Sequence, residues 1–409
     1  MMTTQAYDVL IVGAGPAGTS AAMTLNGSSL SVALVDKAAF PRDKICGDAI
    51  SVDVINQFPK LSPTLAQSFS KLAFKTPSAG VRIIAPSNQA IDIPFHAGHE
   101  AQRGYVCRRA DFDRLMLTEA RKSSNLTVLE ACEVNDIRVA SNQVTVETTQ
   151  GTIVAKMIIG ADGAHSIVKR KLASSKINPR YHSAGLRMYH QHVNSFTAGN
   201  FIELYFLRDI LPGYLWVFPL PEGHANVGIG MLTSAISAKK VNLTKTFRRL
   251  LSTDPLLRNR FGNAVALEAP RGHGLPLGGT NHAMSGNRFL LTGDAASLID
   301  PFSGEGIGNA IRSGRFAAAQ VLQSFSKNDF SEQELHRYDM TMNMMLRNEF
   351  SVSYTMLRLC KYPWLLNTIV GKANRNAQLH RTLVEALAFP DKKRWLVSPS
   401  FYFNVLFRS

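Results

Sequence analysis

One short stretch near the N-terminus constrains the fold more than any other feature of the chain. An apolar run, YDVLIV, leads directly into Gly13-x-Gly15-x-x-Gly18, and helix-forming residues follow as far as Leu25. This glycine spacing allows a tight turn after a strand, close approach of a pyrophosphate to the backbone, and close packing of the helix on the strand. A second apolar run, SVALVD, ends in Asp36, whose carboxylate can accept hydrogen bonds from a ribose hydroxyl. The stretch therefore predicts a Rossmann-type nucleotide-binding unit.

Two distant segments combine an apolar run with glycine and aspartate in a similar way. In AKMIIGADG the run is followed by Asp162 and Gly163, and in NRFLLTGD the corresponding acid is Asp294. A glycine-rich turn at Gly304 and Gly306 then opens a further helix, whose N-terminal N–H groups can face electron-rich atoms of a ligand. A cofactor that reaches from the first glycine turn to this one is extended, and these features together predict FAD.

The separated motifs together resemble those of a large flavoprotein class that includes aromatic hydroxylases, halogenases and geranylgeranyl reductases. Within that class, PRDKICGD resembles the P-x-x-K-x-C-G-G motif of geranylgeranyl reductases, and GYLWVFPLPEGHANVGIG resembles their Y-x-W-x-F-P segment followed by G-x-G. The likeness covers residues 5–325. It implies an FAD-dependent oxidoreductase that reduces C=C bonds of a prenyl chain on a lipid, quinone or related isoprenoid by flavin hydride transfer and protonation.

The resemblance also assigns cofactor contacts to individual positions. The pattern R-x-x-F-D-x-x-L selects Arg109, which would lie along the FAD as a permanently charged donor; the alternative is a surface arginine. Asp36 and Lys37 would face the adenosine ribose, and the backbone of Val134 would face the adenine. The complete expected set is Gly13, Gly15, Pro16, Ala17, Gly18, Asp36, Lys37, Cys46, Gly47, Arg109, Val134, Asp162, Gly163, Asp294, Pro301, Gly304, Gly306 and Ile307.

Cys46 is the expected catalytic residue. In the related motif the cysteine lies against the flavin and near the substrate double bond, where an acid must supply a proton to one alkene carbon. A thiol with a pKa of about 8.5 is mostly protonated at neutral pH, and Lys44 would lower that pKa if the two side chains met. The alternative is a buried cysteine that acts as a small hydrophobic residue.

Asp48 departs from the related motif, which has glycine at this position. Glycine would permit a positive φ or a close approach of backbone to the flavin ring. Aspartate tolerates a positive φ better than most residues, but it adds a carboxylate near the flavin. We expect a solvated or turn-capping role for Asp48, with an acid role in the reaction as the alternative.

The sequence between residues 180 and 271 alternates as strands without the strand–helix rhythm of the N-terminal unit. This pattern predicts an antiparallel sheet over the flavin, joined by the segment 79–95. Tyr214, Trp216 and Phe218 share one face, since side chains alternate along a strand. We expect them to line an apolar substrate channel; the alternative is a core position between sheet and helix.

These expectations give an α/β fold with three parts: a Rossmann-type FAD-binding domain, an antiparallel β-sheet substrate domain and a helical C-terminal segment. The expected FAD-binding domain is discontinuous and takes residues 1–78, 104–180 and 272–325. The expected substrate domain takes residues 79–103 and 181–271, and the C-terminal segment takes residues 326–409.

Charge and composition bound the partners. The net charge is +15, and the last 64 residues, from Leu346, hold ten Lys or Arg against three Asp or Glu, interleaved with large apolar side chains. Such a segment is either a packed helical tail with a solvated face or a segment that rests on an anionic membrane. No nucleic-acid-binding motif accompanies the charge, so nucleic acid is not an expected partner.

Cysteine usage and the N-terminus bear on the compartment. The four cysteines are far apart and form no Cys-x-x-Cys pair, which predicts no metal site and favours reduced thiols in a cytoplasm. The N-terminus shows no leader pattern, and no apolar run reaches the length of a spanning helix. The expected location is cytoplasmic, with peripheral contact at the inner face of the membrane.

Two other functions fit the same scaffold. A monooxygenase or halogenase would use oxygen, but halogenases carry W-x-W-x-I-P and a G-E-S-like stretch where this chain has Y-x-W-x-F-P and C-G-D. The other is a binding or electron-transfer flavoprotein without an organic substrate. Since the sequence holds no second GxGxxG, the reductant is either transiently docked NAD(P)H or an electron carrier.

Overall fold

The computed structural model describes residues 4–95, 103–173, 178–280, 282–388 and 390–403 of the chain. The strands are β1 (Thr4–Val12), β2 (Val32–Val35), β3 (Ala49–Ile50), β4 (Lys75–Ser78), β5 (Gly80–Ile84), β6 (Ala90–Pro94), β7 (Gly104–Cys107), β8 (Leu126–Leu129), β9 (Val134–Val139), β10 (Val144–Thr148), β11 (Gly151–Gly160), β12 (His182–Gln191), β13 (Ile202–Tyr205), β14 (Gly213–Pro219), β15 (Ala225–Leu232), β16 (Val265–Ala266), β17 (Arg271–Pro276), β18 (Ser285–Gly286) and β19 (Phe289–Leu291). The α-helices are α1 (Pro16–Thr24), α2 (Val52–Gln57), α3 (Leu65–Ser70), α4 (Arg109–Ala120), α5 (Thr233–Lys239), α6 (Leu243–Thr253), α7 (Pro255–Phe261), α8 (Ile307–Lys327), α9 (Glu332–Leu359), α10 (Pro363–Ala373), α11 (Ala377–Ala388) and α12 (Pro399–Phe403).

The first sheet is built around β1. Five strands run parallel in the order β19-β11-β1-β2-β8, while β18 adds an antiparallel edge and β9 and β10 extend β11 as an antiparallel meander. Val9 pairs with Val32 on one side and Met157 on the other, and all three are buried, as expected for parallel strands covered on both faces. The carboxyl ends of β1, β2, β11 and β19 meet at one edge, where open α/β sheets bind their ligands.

Helices α1 and α8 cross at very short distance on this sheet. A Cβ atom added at Gly314 would lie 2.2 Å from the carbonyl oxygen of Ala17, so the two helix backbones touch with no side chain between them. This contact brings the N-terminus of α1 and the N-terminus of α8 to the same edge of the sheet. The α/β fold expected from the sequence is thereby confirmed.

The second sheet has the order β16-β12-β15-β14-β13-β5-β6, with β17 also paired to β12. It is antiparallel except where β13 runs parallel to β5, the strand through which the segment 79–95 joins the sheet. Leu215 and Val217 point to one face, where they are buried with Phe247 of α6. The aromatic residues of β14 therefore point to the opposite face, which is turned toward the first sheet.

The structure differs from the expected domain boundary at residue 272. The expected FAD-binding domain includes residues 272–276, but in β17 these residues pair with β12 of the second sheet. The next strands along the chain, β18 and β19, belong to the first sheet again. The remaining division into three parts stays a prediction.

The C-terminal helices cover both units. Tyr338 of α9 donates a hydrogen bond to the carbonyl of Leu291 in the first sheet at 2.8 Å. Val370 of α10 and Leu383 of α11 are buried together with Ile91 of β6 in the second sheet. The described helices α9, α10 and α11 thus pack on both sheets. In the part of the chain that the structure describes, no helix combines the length and apolarity that crossing a bilayer requires.

Candidate functional site

A cavity of 540 Å³ lies at the carboxyl edge of the first sheet, between the N-termini of α1 and α8. Every expected cofactor-binding residue lines it except Gly18 and Pro301. Gly18 is buried inside α1, where an added Cβ would lie 1.8 Å from the carbonyl oxygen of Gly13. Pro301 lines a second cavity instead. The structure therefore brings together segments separated by almost 300 residues of sequence, from Gly13 to Ile307.

The glycine turn leaves room for a phosphate group and supplies donors to it. Gly13 has φ +102°, and an added Cβ there would lie 2.4 Å from the carbonyl oxygen of Ala161, so only glycine fits. At Gly15, apart from its chain neighbours, the only heavy atom of the described residues within 4 Å of an added Cβ is Nη2 of Arg42, at 3.6 Å, which leaves open space toward the cavity. No side chain caps the N-terminus of α1 and its first turn holds no acidic residue. These features fit a cofactor pyrophosphate.

Asp36 stabilises the same turn through hydrogen bonds between its carboxylate and the backbone. Its Oδ2 accepts a hydrogen bond from the backbone N–H of Ala14 at 2.8 Å, and its Oδ1 accepts one from Ala38 at 2.9 Å. Each carboxylate oxygen keeps a further lone pair, so the side chain can still accept a hydrogen bond from a ribose hydroxyl. Asp36 therefore both shapes the turn and faces the cavity that the turn borders.

Lys44 does not serve the role that the sequence suggested. Its ammonium pairs with Asp294 at 3.4 Å, across the cavity from the glycine turn. A guanidinium that shares the first cavity with Cys46 is that of Arg109, the expected cofactor-binding residue. Sequence reasoning missed the pairing with Asp294 because the two residues are 250 positions apart.

Arg109 is held in place by a buried carboxylate. Its Nε and Nη2 donate to the two oxygens of Asp113, both at 2.8 Å, and Arg42 donates to the same carboxylate at 2.9 Å. Burial opposes the ionisation of Asp113, but the two guanidinium groups hold its pKa below the usual range. Arg109 is thus a fixed positive charge with only 3% of its surface exposed, and the alternative of a surface arginine is wrong.

Cys46 and Gly47 form the boundary between two cavities. Both residues line the first cavity and also a second cavity of 250 Å³, enclosed between the second sheet and the turn that precedes α8. An added Cβ at Gly47 would lie 2.7 Å from Cε2 of Phe218, so glycine lets the loop approach the aromatic ring. Cys46 is therefore a lining residue of both cavities.

The second cavity is mainly apolar. Tyr214, Trp216 and Phe218 all line it, opposite aliphatic side chains that include Leu275 and Leu357. The Tyr214 hydroxyl donates to the carbonyl of Ser303 at 2.6 Å, which fixes the ring at the turn before α8. The period of two along β14 thus places the three aromatic residues on a cavity wall.

The expectation that Asp48 is solvated is wrong, although its carboxylate does accept a backbone N–H at the start of α4, from Arg109. Asp48 is fully buried, with φ +67°, and its carboxylate accepts hydrogen bonds from Tyr189 and Asn226 of the second sheet. Burial raises the pKa of Asp48 to about 6, although both hydrogen bonds favour the ionised form. Sequence reasoning did not single out Tyr189 or Asn226, since neither belongs to a motif that the residues around it would reveal.

A buried arginine, also missed, ties this loop to the second sheet. Arg187 of β12 has no exposed surface, and its Nη2 donates to both oxygens of Asp43, at 2.6 and 2.8 Å. A second carboxylate, Glu268, pairs with its Nη1, and the guanidinium stacks on the ring of Tyr189 at 4.0 Å. The loop that carries Cys46 is therefore anchored by ion pairs at Asp43 and by hydrogen bonds at Asp48.

Comparison with known proteins agrees with this geometry. The sequence family described as FAD binding domain matches residues 6–243. The chain is 30% identical over 345 residues to a digeranylgeranylglycerophospholipid reductase of Methanoculleus marisnigri, covering 81% of both proteins. It is 28% identical over 392 residues to a menaquinone reductase of Mycolicibacterium smegmatis, covering 94% of this chain and 92% of the relative.

Two solved structures show the same fold. A geranylgeranyl bacteriochlorophyll reductase-like protein of Thermoplasma acidophilum superposes with a TM-score of 0.79 at 23% identity, covering 96% of this chain and 99% of that one. A variant of the halogenase PltM in complex with FAD superposes with a TM-score of 0.74 at 18% identity, covering 96% and 85%. At these identities the likeness shows the fold alone.

A Rossmann-type sheet, a phosphate-sized opening over α1 and the matched family define an FAD-dependent oxidoreductase. Reductase relatives at up to 30% identity extend over most of the chain. The chain belongs to the geranylgeranyl reductase family of these flavoproteins.

Replacing Gly15 by valine is expected to abolish FAD retention without unfolding the protein. Gly15 has φ −74°, which any residue adopts, and the new side chain would fill the space that a pyrophosphate needs. The measurement is the flavin absorbance of the purified variant, together with its circular dichroism. Gly262→Val, at an exposed glycine after α7, is the control and should stay yellow. A folded Gly15→Val protein with its full flavin content would show that the pyrophosphate lies elsewhere.

Proposed function

We propose that this protein reduces C=C bonds in the prenyl chain of an apolar isoprenoid or lipid, with FAD as the cofactor. The observation that carries the proposal is the apolar second cavity, which adjoins the cofactor cavity at Cys46 and Gly47. A hydrocarbon chain gains free energy on entering such a cavity, roughly 0.8 kcal/mol for each buried CH₂. The aromatic side chains of β14 and Leu357 of α9 offer contacts to a chain without polar groups.

Each part of the cofactor is assigned to residues of the first cavity, together with Gly18 inside α1 and Pro301 of the second cavity. The turn from Gly13 to Gly18 and the first turn of α1 hold the pyrophosphate, and Asp36 and Lys37 hold the adenosine ribose. Val134 faces the adenine. The ribityl chain and flavin ring are held by the remaining expected residues, which are Cys46, Gly47, Arg109, Asp162, Gly163, Asp294, Pro301, Gly304, Gly306 and Ile307.

The reaction divides between cofactor and protein. Reduced FAD, when bound, supplies a hydride to one alkene carbon. The Cys46 thiol, at the boundary between the cavities, holds the proton that the other carbon requires. Arg109, a positive charge on the wall of the same cavity, favours the thiolate that remains after the proton leaves. The reductant, transiently docked NAD(P)H or an electron carrier, restores the cofactor from outside.

Rapid mixing distinguishes this function from oxygen chemistry. The flavin of the purified protein is reduced without oxygen and then mixed either with a polyprenyl alkene or with oxygenated buffer. We expect rapid reoxidation by the alkene, formation of the saturated product and slow reoxidation by oxygen. Rapid oxygen consumption that depends on an organic substrate, with no saturated product, would instead support a monooxygenase or halogenase. Failure of every alkene and every oxygen-coupled substrate would favour an electron-transfer protein.

Cys46→Ser is expected to keep FAD bound and to slow alkene reduction. A serine hydroxyl has nearly the size of the thiol but is a much weaker acid, so proton transfer to carbon becomes costly. Loss of a general acid lowers rates by about 10²- to 10⁴-fold. Cys360→Ser, at a buried cysteine outside the cofactor cavity, is the matched control. An unchanged single-turnover rate in Cys46→Ser would remove Cys46 from the mechanism.

The partner proposed for the C-terminal segment is the anionic inner face of a membrane, approached from the cytoplasm. The corner between α9 and α10 exposes Tyr362 and Trp364, with 52% and 57% of their surfaces accessible. Residues 350–384 around them contain five Lys or Arg and no Asp or Glu. Leu366 of α10 packs in the same cluster as Trp216, so the corner adjoins the second cavity. Interfacial aromatic rings beside basic residues are typical of peripheral membrane contact.

Vesicle cosedimentation tests this surface. The protein should bind vesicles of phosphatidylglycerol and phosphatidylcholine more strongly than vesicles of phosphatidylcholine alone, with binding weakened by salt. Replacing Tyr362 and Trp364 by serine should reduce binding, because two exposed rings are lost. Val265→Ser with Leu267→Ser removes exposed apolar surface near β16 and should leave binding unchanged. Equal binding by both double variants would contradict the proposed corner.

A further inference from the structure

Asp48 lies at the centre of a hydrogen-bonded group that joins three elements. Its Oδ2 accepts hydrogen bonds from the Tyr189 hydroxyl at 2.6 Å and from Nδ2 of Asn226 at 2.8 Å. Its Oδ1 accepts one from the backbone N–H of Arg109 at 3.3 Å. Every group that faces the carboxylate is therefore a donor, which is the arrangement that an ionised carboxylate requires.

Asn226 connects Asp48 to Cys46 and Trp216, which line the cavities. Its Nδ2 donates to the carbonyl of Cys46 at 2.7 Å as well as to Asp48, and its Oδ1 accepts from Nε1 of Trp216 at 2.9 Å. Two acceptors on one side and an indole donor on the other leave a single orientation in which all the amide's hydrogen bonds form. The chain from Asp48 through Asn226 thus fixes the Cys46 peptide and the Trp216 ring together.

The cations near Asp48 are already paired with other carboxylates. Arg187 of β12 pairs with Asp43 and Glu268, and Arg109 of α4 pairs with Asp113. Tyr189 of β12 and Cys107 of β7 are the other titratable groups close to it, and burial raises the pKa of each. Among the described residues, no separate counter-ion is assigned to Asp48. Burial of its own carboxylate raises the pKa of Asp48 to about 6.

We infer that Asp48 is a positioning residue whose ionised carboxylate, acting through Asn226, holds the Cys46 peptide and the Trp216 ring in register across the boundary between the two cavities. The effect expected on substrate kinetics rests on the proposed function, whereas the effect expected on the Trp216 ring does not. Protonation of Asp48 turns one of its acceptor oxygens into an O–H donor. Because the groups around it also donate, at least one of the three hydrogen bonds to Asp48 is lost or reversed. The wall of the second cavity is therefore held best above the pKa of Asp48.

The structural consequence can be followed without any substrate. The holoenzyme contains three tryptophans, Trp216, Trp364 and Trp395, and ¹⁵N-indole labelling gives each a separate proton–nitrogen signal, with Trp216→Phe identifying the first. On titration, the Trp216 signal should shift with a midpoint at a pH of about 6. Asp48→Asn should abolish that shift and leave the other two signals as in the wild type. Asp209→Asn, at an exposed acid, is the matched control.

A second variant keeps the test decisive if Asp48→Asn does not fold. Tyr189→Phe removes one hydrogen bond to the ionised carboxylate, so the midpoint of the Trp216 shift should move to higher pH. A Trp216 signal that does not move with pH in the wild type would overturn the inference. An unchanged titration in Asp48→Asn or Tyr189→Phe would overturn it as well.

The kinetic consequence separates this inference from the proposed function. With a polyprenyl alkene as substrate, Asp48→Asn should raise KM by about tenfold at neutral pH, as expected for losing a hydrogen bond to a charged group, with a smaller effect on kcat. The wild-type KM should rise as the pH falls through about 6, whereas that of Asp48→Asn should not. Absence of any alkene turnover beside an intact Trp216 titration would overturn the proposed function and support the positioning role.

Discussion

A single buried amide joins the two halves of this protein where its chemistry is expected. Asn226 donates to the Cys46 carbonyl at 2.7 Å and to Asp48 at 2.8 Å, so one side chain of the second sheet holds the loop that borders the cofactor cavity. Both cavities share this loop as a wall. Without the amide, the loop would keep its ion pairs at Asp43 and the hydrogen bonds of Asp48 to Tyr189 and Arg109, but the Cys46 carbonyl would lose its hydrogen bond to the second sheet.

Around the cofactor cavity, the close contacts are instead between one backbone segment and another, as at Gly13 beside Ala161 and at Gly314 beside Ala17. Such contacts leave N–H groups at the start of α1 free of capping side chains and turned toward the cavity. The substrate side is instead built from large side chains, with Trp216 and Phe218 filling the space between the sheets. The first cavity is thus bordered by glycine backbone that leaves room for a ligand, whereas the second cavity is bordered by large aromatic side chains.

This contrast explains how much could be predicted from the sequence. A glycine that must adopt φ +102°, or aromatic residues spaced by two along a strand, carry their reason in the local sequence. The fold class and the glycine turns of the first cavity followed from such signals, whereas Arg109 and Val134 were expected there from the family resemblance alone. The roles of Asp48 and Lys44 did not follow from such signals, because their partners Tyr189 and Asp294 lie 141 and 250 positions away. A solvated aspartate and a buried one have the same local sequence, and only the packing of the second sheet decides between them.

The contact between Gly47 and Phe218 has a consequence for how such a site changes over time. An added Cβ at position 47 would lie 2.7 Å from the ring of Phe218, so a side chain there becomes admissible only after position 218 has become smaller. A change at residue 47, beside the cofactor cavity, is therefore coupled to residue 218 of the second sheet, although 171 positions separate them in the sequence.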